Sequence, residues 1–384
     1  MRFFCITHKS RRSQARLGKI TTSHGEILTP AFVPVATKGT LKAIPPKDIR
    51  EIGIQVAFVN IFHLVDHPGI DVIEKFGGIH TYANLSIPLM SDSGGFQVFS
   101  LAEKRASTRE GEGIPLVKVT EKGVRFRSPR TGRELLFSPE LSIRYQEKIG
   151  ADIIMAFDEC IYYGASHQYT TEATERTHRW LLRCIQTKGS SSTLPPQARD
   201  RSGLQQFLYG IVQGGVFKDL RIASAKFVAQ QNTPGIAIGG VSVGETKKEM
   251  REQVKWVTPF LPEEKPKHLL GIGRIEDILD FVPLGIDTFD CVEPTRLARN
   301  GVVFQNKGKQ FYRIDLTKAK YLKDKNPIQK DCQCYTCEIF SLSFLHHLFK
   351  ERELLGYYLA TYHNLYFLEQ IFKKLRIQIQ KGEI

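Results

Sequence analysis

The chain has 384 residues, 41% hydrophobic and 24% charged, the make-up of a folded protein with a sizeable core rather than of a disordered one. Lys and Arg number 54 against 40 Asp and Glu, a net charge of +14, so polyanions are attracted, nucleic acid first among them, unless the excess only solvates the surface. The basic opening MRFFCITHKSRRSQAR lacks the apolar segment and cleavage site of a secretory leader, and no apolar run approaches the roughly 20 residues of a membrane span; a cytoplasmic protein with no membrane association is expected.

Taken in chain order, eight short apolar runs are bounded by Gly, Asp or Asn: AFVPVA from Ala31, VAFVNIFH from Val56, IPLMSDSG from Ile87, DIIMAFDEC from Asp152, FLYGIVQGG from Phe207, GIAIGG from Gly235, HLLGIG from His268 and DTFDCV from Asp287. Each is too short and too rich in β-branched or aromatic residues for a buried helix, so each reads as a strand. The stretches between them, such as LSIRYQEKIG, ATERTHRWLLRCIQ, RIASAKFVAQQ and EMREQVKWVTPFL, repeat their apolar residues at helical spacing. Strand and helix in alternation predict an α/β fold, a (β/α)8 TIM barrel over residues 1–330, with its chemistry where the C-terminal ends of the strands meet the following loops.

Two segments fall outside the repeat. Residues 96–137 contain VKVTEKGVRFRSPRTGRELLF, with turn signals at Lys122-Gly123 and Thr131-Gly132, and read as a β-hairpin insertion. GSSSTLPPQARDRSG, from Gly189, is polar with paired prolines and reads as an exposed loop. Residues 331–384 predict a zinc-binding helical subdomain packed on the barrel, its helical stretch broken near Gly356.

Of seven cysteines, three crowd into Cys332-x-Cys334-x-x-Cys337. Thiolates so close repel one another unless a soft cation gathers them, and Zn²⁺ is the usual one. For a fourth ligand His346, His347 and His363 are all in reach along the chain. Four protein ligands leave no open position, so such a zinc is structural and catalysis lies elsewhere.

Six of the eight predicted strands finish in a polar or glycine group: Asn60, Asp92, Asp158, Gln213, Gly239-Gly240 and Asp290. Any one of these residues also ends strands and starts turns for purely local reasons; three aspartates at one barrel mouth are harder to explain that way. Asp92 sits in Ser91-Asp92-Ser93-Gly94-Gly95-Phe96-Gln97, where glycines permit close backbone approach and Phe96 offers a stacking face. Two carboxylates facing one pocket equip a protein for glycosidic chemistry by double displacement, one attacking the anomeric carbon and one handling the proton. Arg296 and Arg299, just beyond Asp290, suit phosphate contacts or ordinary surface charge equally.

These segments, Ser91-Asp92-Ser93-Gly94-Gly95-Phe96-Gln97-Val98, Met155-Ala156-Phe157-Asp158-Glu159-Cys160, Gly239-Gly240, Phe289-Asp290-Cys291-Val292 and the cysteine cluster, together resemble bacterial-type tRNA-guanine transglycosylases over nearly the whole chain. The resemblance implies exchange of the wobble guanine in tRNAs with GUN anticodons for a 7-deazaguanine base, a step of queuosine biosynthesis. Asp290 is then the nucleophile and Asp92 the general acid/base. Asp158, Gln213 and the Gly240 backbone bind the base edge with Ser93 and Asn60 beside them, Phe96 stacks on its face, and Arg296 and Arg299 contact the anticodon loop. His363 becomes the fourth ligand to one structural zinc per subunit, and a homodimer is implied. Cys160 and Val243 resemble the pattern that accepts 7-aminomethyl-7-deazaguanine (preQ1) rather than queuine. Leu270, Val241-Ser242, Glu293 and the IYYGAS segment after Cys160 depart from that pattern.

Competing readings remain on the same residues. A hydrolytic nucleosidase is allowed by the two carboxylates, though not suggested by the zinc clip and basic balance. A non-catalytic tRNA-binding subunit would lack a carboxylate at 290, and the archaeal relative acting elsewhere in tRNA calls for a further RNA-binding domain.

Overall fold

The computed structural model describes residues 2–95, 117–127, 132, 134–192, 205–308 and 310–384. Three antiparallel strands open the chain: β1 (Phe4–Lys9), β2 (Arg16–Thr22) and β3 (Gly25–Thr29). Next come β4 (Ala31–Pro34), β5 (Ala57–Val59) and β6 (Leu89–Ser91). A small antiparallel sheet of β7 (Val117–Thr120), β8 (Gly123–Arg127) and β9 (Glu134–Phe137) follows, and then β10 (Ile153–Met155), β11 (Phe207–Val212), β12 (Gly235–Ile238), β13 (Lys267–Leu269) and β14 (Thr288–Cys291). A hairpin of β15 (Val302–Lys307) and β16 (Gln310–Asp315) precedes the C-terminal helices.

Eight parallel strands run in the order β4-β14-β13-β12-β11-β10-β6-β5, and a parallel bridge between Val35 and Phe58 closes the ring. Seven lie within the runs read as strands from sequence, β13 begins one residue before its run, at Lys267, and the expected (β/α)8 barrel is what forms. Its strands are short and buried on both faces, which is why their sequences read as unbroken apolar runs. The turn at Lys122-Gly123 joins β7 to β8 as expected, with β9 added as a third strand. The connection that contains Thr131 lies outside the described residues, as do 96–116.

Two readings shift. The helix His167–Ser192 runs through Gly189, so the predicted loop begins later than its sequence suggested, and 193–204 lie outside the described residues. At the C-terminal end the helices are Tyr335–Ile339, Leu342–Lys350 and Leu354–Gln380; the break falls before Gly356, where Arg352 takes a positive φ of 58°.

The basic opening segment forms β1 and leads into β2 and β3, and buried Phe4, Ile20 and Ile27 of this sheet pack with Val56, Ile153 and Phe207 at the N-terminal end of the barrel. Arg16 pins this sheet to the barrel: its guanidinium donates to both oxygens of buried Asp287, at 3.0 and 2.6 Å, and Asp287 also accepts the Lys267 N–H at 2.7 Å.

The helix Leu354–Gln380 is part of the barrel wall. Phe372 lies against Phe32 of β4 and Phe289 of β14, with ring centroids 6.2 and 5.9 Å away. Tyr358 and Tyr362 donate to Asp48 and Glu51 of the helix Pro46–Ile52, both at 2.8 Å.

Candidate active site

The mouth at the C-terminal strand ends gathers the residues singled out from sequence. One buried side chain from the helix Pro139–Ile149 holds two of the strands together: Gln146 accepts from the Ser91 hydroxyl at 2.8 Å and the Met155 N–H at 2.9 Å, and donates to the Met155 carbonyl at 2.9 Å. The loops that follow β6 and β10, which carry Asp92 and Asp158, are therefore set by one amide.

Asp92 is half-buried. Its Oδ1 accepts the Ile61 N–H at 2.7 Å and its Oδ2 accepts from Asn60 Nδ2, while Asn60 Oδ1 caps the next helix by accepting the His63 N–H at 3.1 Å. Three donors thus orient one carboxylate and the amide beside it.

Asp158 is 6% exposed. Ser93 Oγ donates to its Oδ1 at 3.2 Å and Gln213 Nε2 to its Oδ2 at 2.7 Å. Burial pushes its carboxyl up to about 6 in spite of these bonds, because the charged form has left water. A group so held favours any ligand that brings further N–H donors.

Gln213 Oε1 is buried without a partner among the described residues. A side chain at Gly240 would put a Cβ 2.3 Å from that oxygen, and Gly240 takes a φ of 61°, so only glycine lets the backbone come this close to the amide. Leu270 closes the other side, 3.5 Å from where a Cβ on Gly239 would lie.

Arg221, passed over in the sequence, sets this loop. It is fully buried, donates to the carbonyls of Gly215 at 2.7 Å and Gly239 at 2.6 Å, and to Gly240 O and, at 2.8 Å, Gln253 Oε1. Burial lowers its guanidinium to about 10. Its helical context, RIASAKFVAQQ, looks like any amphipathic surface, and nothing in the spacing marks an inward arginine.

Asp290 is also half-buried. Its Oδ1 accepts from the Gly271 N–H at 2.9 Å and from His268 Nε2 at 3.2 Å. His268 lay within a predicted strand and carried no assigned role, since the contact that gives it meaning runs between two strands that only the fold sets side by side.

Of the remaining predictions, Cys160 and Val243 are half-buried; the Val243 N–H donates to Glu245 at 2.8 Å, and the Ser242 N–H donates to the other oxygen of the same carboxylate. Arg296 is exposed on the helix Glu293–Arg299, and Arg299 turns back to the Thr295 carbonyl at 2.9 Å. Phe96 lies outside the described residues.

Away from the mouth, Cys332, Cys334, Cys337 and His363 bring their ligand atoms within 4.8 Å of one another. The three sulfurs lie 3.9, 3.4 and 3.3 Å from His363 Nδ1. A tetrahedral zinc with ordinary Zn–S and Zn–N bonds spans about 3.6 Å between such atoms, so the set fits that ion. His363 Nε2 donates to the Phe304 carbonyl at 2.7 Å, which fixes the ring with Nδ1 aimed at the sulfurs, the nitrogen a metal would take. His346 instead bonds the Leu316 carbonyl at 2.7 Å.

The profile of the family described as queuine tRNA-ribosyltransferase matches residues 10–384. A protein of that name from Herpetosiphon aurantiacus is 45% identical over 376 residues, covering 98% of this chain and 88% of its own. Others of that name are 43% identical in Pelotomaculum thermopropionicum, covering 99% of this chain and 95% of theirs, and 42% identical in Protochlamydia amoebophila, covering 99% and 96%. With matches of this length and closeness, and the barrel and Cys₃His cluster in place, the chain belongs to the queuine tRNA-ribosyltransferases, the tRNA-guanine transglycosylase family of pentosyltransferases.

Proposed function

We propose that the protein exchanges the wobble guanine of tRNAs with GUN anticodons for preQ1 by double displacement, with Asp290 as nucleophile and Asp92 as general acid/base. The observation that carries this reading is the buried Asp158 carboxylate between Ser93 and Gln213, beside Gly240, at a mouth bearing two more accessible carboxylates. A guanine edge presents adjacent ring N–H and amino donors, which a buried carboxylate satisfies and water no longer can. Each such charge-assisted bond contributes about 1.5–3 kcal/mol, and adenine cannot donate in that pattern.

Asp290 attacks C1′, the guanine departs with a proton from Asp92, and the covalent ribosyl-aspartate waits for the second base. Asp92 takes the proton of the incoming base, which attacks the same carbon and restores the original configuration. The target base leaves its stack at low cost in an anticodon loop, with Arg296 and Arg299 at the neighbouring nucleotides and Cys160, Val243 and Leu270 around the 7-substituent. Bound by Cys332, Cys334, Cys337 and His363, Zn²⁺ supplies folding free energy and takes no part in the chemistry. As the resemblance implies, the working form is taken to be a homodimer in the cytoplasm.

The test is Asp290→Asn, incubated with unmodified tRNA and labelled guanine, preQ1 or queuine, with denaturing gels and nucleoside mass spectrometry as readouts. The variant should form no covalent tRNA adduct and lose roughly a thousandfold or more in exchange. Exchange at the normal rate would overturn the nucleophile assignment, and insertion of queuine but not preQ1 would overturn the base assignment.

A further inference from the structure

Two N–H groups converge on one oxygen of Asp290. His268 Nε2 lies 3.2 Å and the Gly271 N–H nitrogen 2.9 Å from Oδ1, and among the described residues both bonds fall on this atom. His268 is fully buried. Its Nδ1 lies 2.9 Å from Thr288 Oγ1, and the Phe58 ring lies nearly parallel to it, 19° off and 5.8 Å away between centroids. An ionised carboxylate only accepts, so Nε2 carries the proton that meets Oδ1, and the Thr288 hydroxyl holds the ring at Nδ1.

We propose that His268 is a positioning residue for Asp290: with the Gly271 N–H it holds Oδ1, leaves Oδ2 to bond C1′, and eases departure of the carboxylate in the second displacement. This rests on the double-displacement reading above.

In the first step an Oδ2 electron pair forms the bond to C1′ while the C1′–N9 pair leaves with guanine. Oδ1 becomes the carbonyl oxygen of an ester and loses charge, so the two N–H bonds to it weaken. In the second step N9 of the incoming base, its proton passing to Asp92, bonds C1′, and the C1′–Oδ2 pair returns to the carboxylate. Charge flows back onto Oδ1 and both bonds strengthen. The donors therefore work against the first step and for the second, while the orientation they impose serves both.

Loss of the His268 donor should fall on breakdown of the intermediate. In the zinc-loaded full-length enzyme with unmodified tRNA, His268→Phe should raise the steady-state fraction of covalent adduct. Its breakdown on addition of guanine or preQ1 should slow roughly 10- to 100-fold in rapid-quench experiments, while tRNA affinity stays near that of the unaltered enzyme. His268→Gln, which can present an amide N–H in the same place, should recover most of the breakdown rate. In the unaltered enzyme labelled with ¹⁵N-histidine, the His268 Nε2–H resonance should move upfield when the adduct is trapped. Unchanged breakdown in His268→Phe, a glutamine variant no faster than the phenylalanine one, or a resonance that does not move overturns the proposal. Absence of any adduct in the unaltered enzyme instead overturns the double-displacement reading, which separates the two failures.

Discussion

At the scale of single residues, the mouth relies on groups kept in costly states. Asp158 holds its charge away from water, and its carboxyl stands at about 6 because of that burial. In the base-binding role proposed for it Asp158 acts in its ionised form, so the KM for the incoming base should rise as pH falls through about 6, with less change in tRNA affinity. The stability consequence has the opposite sense. A folded carboxyl raised above its unfolded value binds protons more tightly when folded, so its effect is to lower stability as pH rises from the ordinary carboxylate range through about 6. Asp158→Asn should therefore melt at a higher temperature than the unaltered protein at pH 8, helped by a partner for the orphaned Gln213 Oε1. The same variant should discriminate roughly tenfold or more less well between guanine and bases lacking its donor pair. Calorimetry and competition kinetics read the two effects, and unchanged discrimination would remove Asp158 from base recognition.

At the scale of elements, the Cys₃His cluster and the helix Glu293–Arg299 share a joint. Asn364, next to His363, accepts the Phe304 N–H at 2.9 Å and donates to the carbonyls of Pro294 and Val302, both at 3.1 Å. Pro294 lies at the start of the helix that carries Arg296 and Arg299. Asn364→Ala should cost about 2–3 kcal/mol through three lost buried bonds, and weaken tRNA binding more than it slows the chemistry of bound tRNA. Removing the metal should raise hydrogen exchange first in Val302–Lys307 and Leu354–Gln380, with barrel strands protected longer. Equal loss everywhere would show that no such joint exists. These elements also mark where sequence was readable. Runs such as GIAIGG are strands because they are buried on both faces, and that needs no partner to be seen. By contrast β1–β3 hid in a basic segment, since Arg16 reads as surface charge until Asp287 is known to face it. Asp92, Asp158 and Asp290 were legible because strand ends are where barrel chemistry sits. Arg221 and His268 were not, because their meaning lies in Gly240 and Asp290, which only the fold brings near.

At the scale of the whole molecule, the two ends of the barrel are built on different principles. The mouth keeps carboxylates partly accessible, whereas the opposite end is sealed by Phe4, Ile20 and Ile27 and by the Arg16–Asp287 pair, 5% and 0% exposed. Asp287→Ala would leave a buried guanidinium without its carboxylate and should destabilise by about 3–5 kcal/mol in urea unfolding, with the activity of the remaining folded protein preserved. A loss under about 1 kcal/mol would mean that water reaches Arg16 and the seal is loose. No described helix is long and apolar enough to cross a membrane. The wall of the barrel is finished by Phe372 against Phe32 and Phe289, which joins the first barrel strand and the last to a helix near the far end of the chain. On the ribosome, this seam is covered only after residues 354–380 have followed the barrel strands out of the exit tunnel. Until then Phe32 and Phe289 expose apolar surface that the finished protein buries, the kind of transient patch that promotes aggregation.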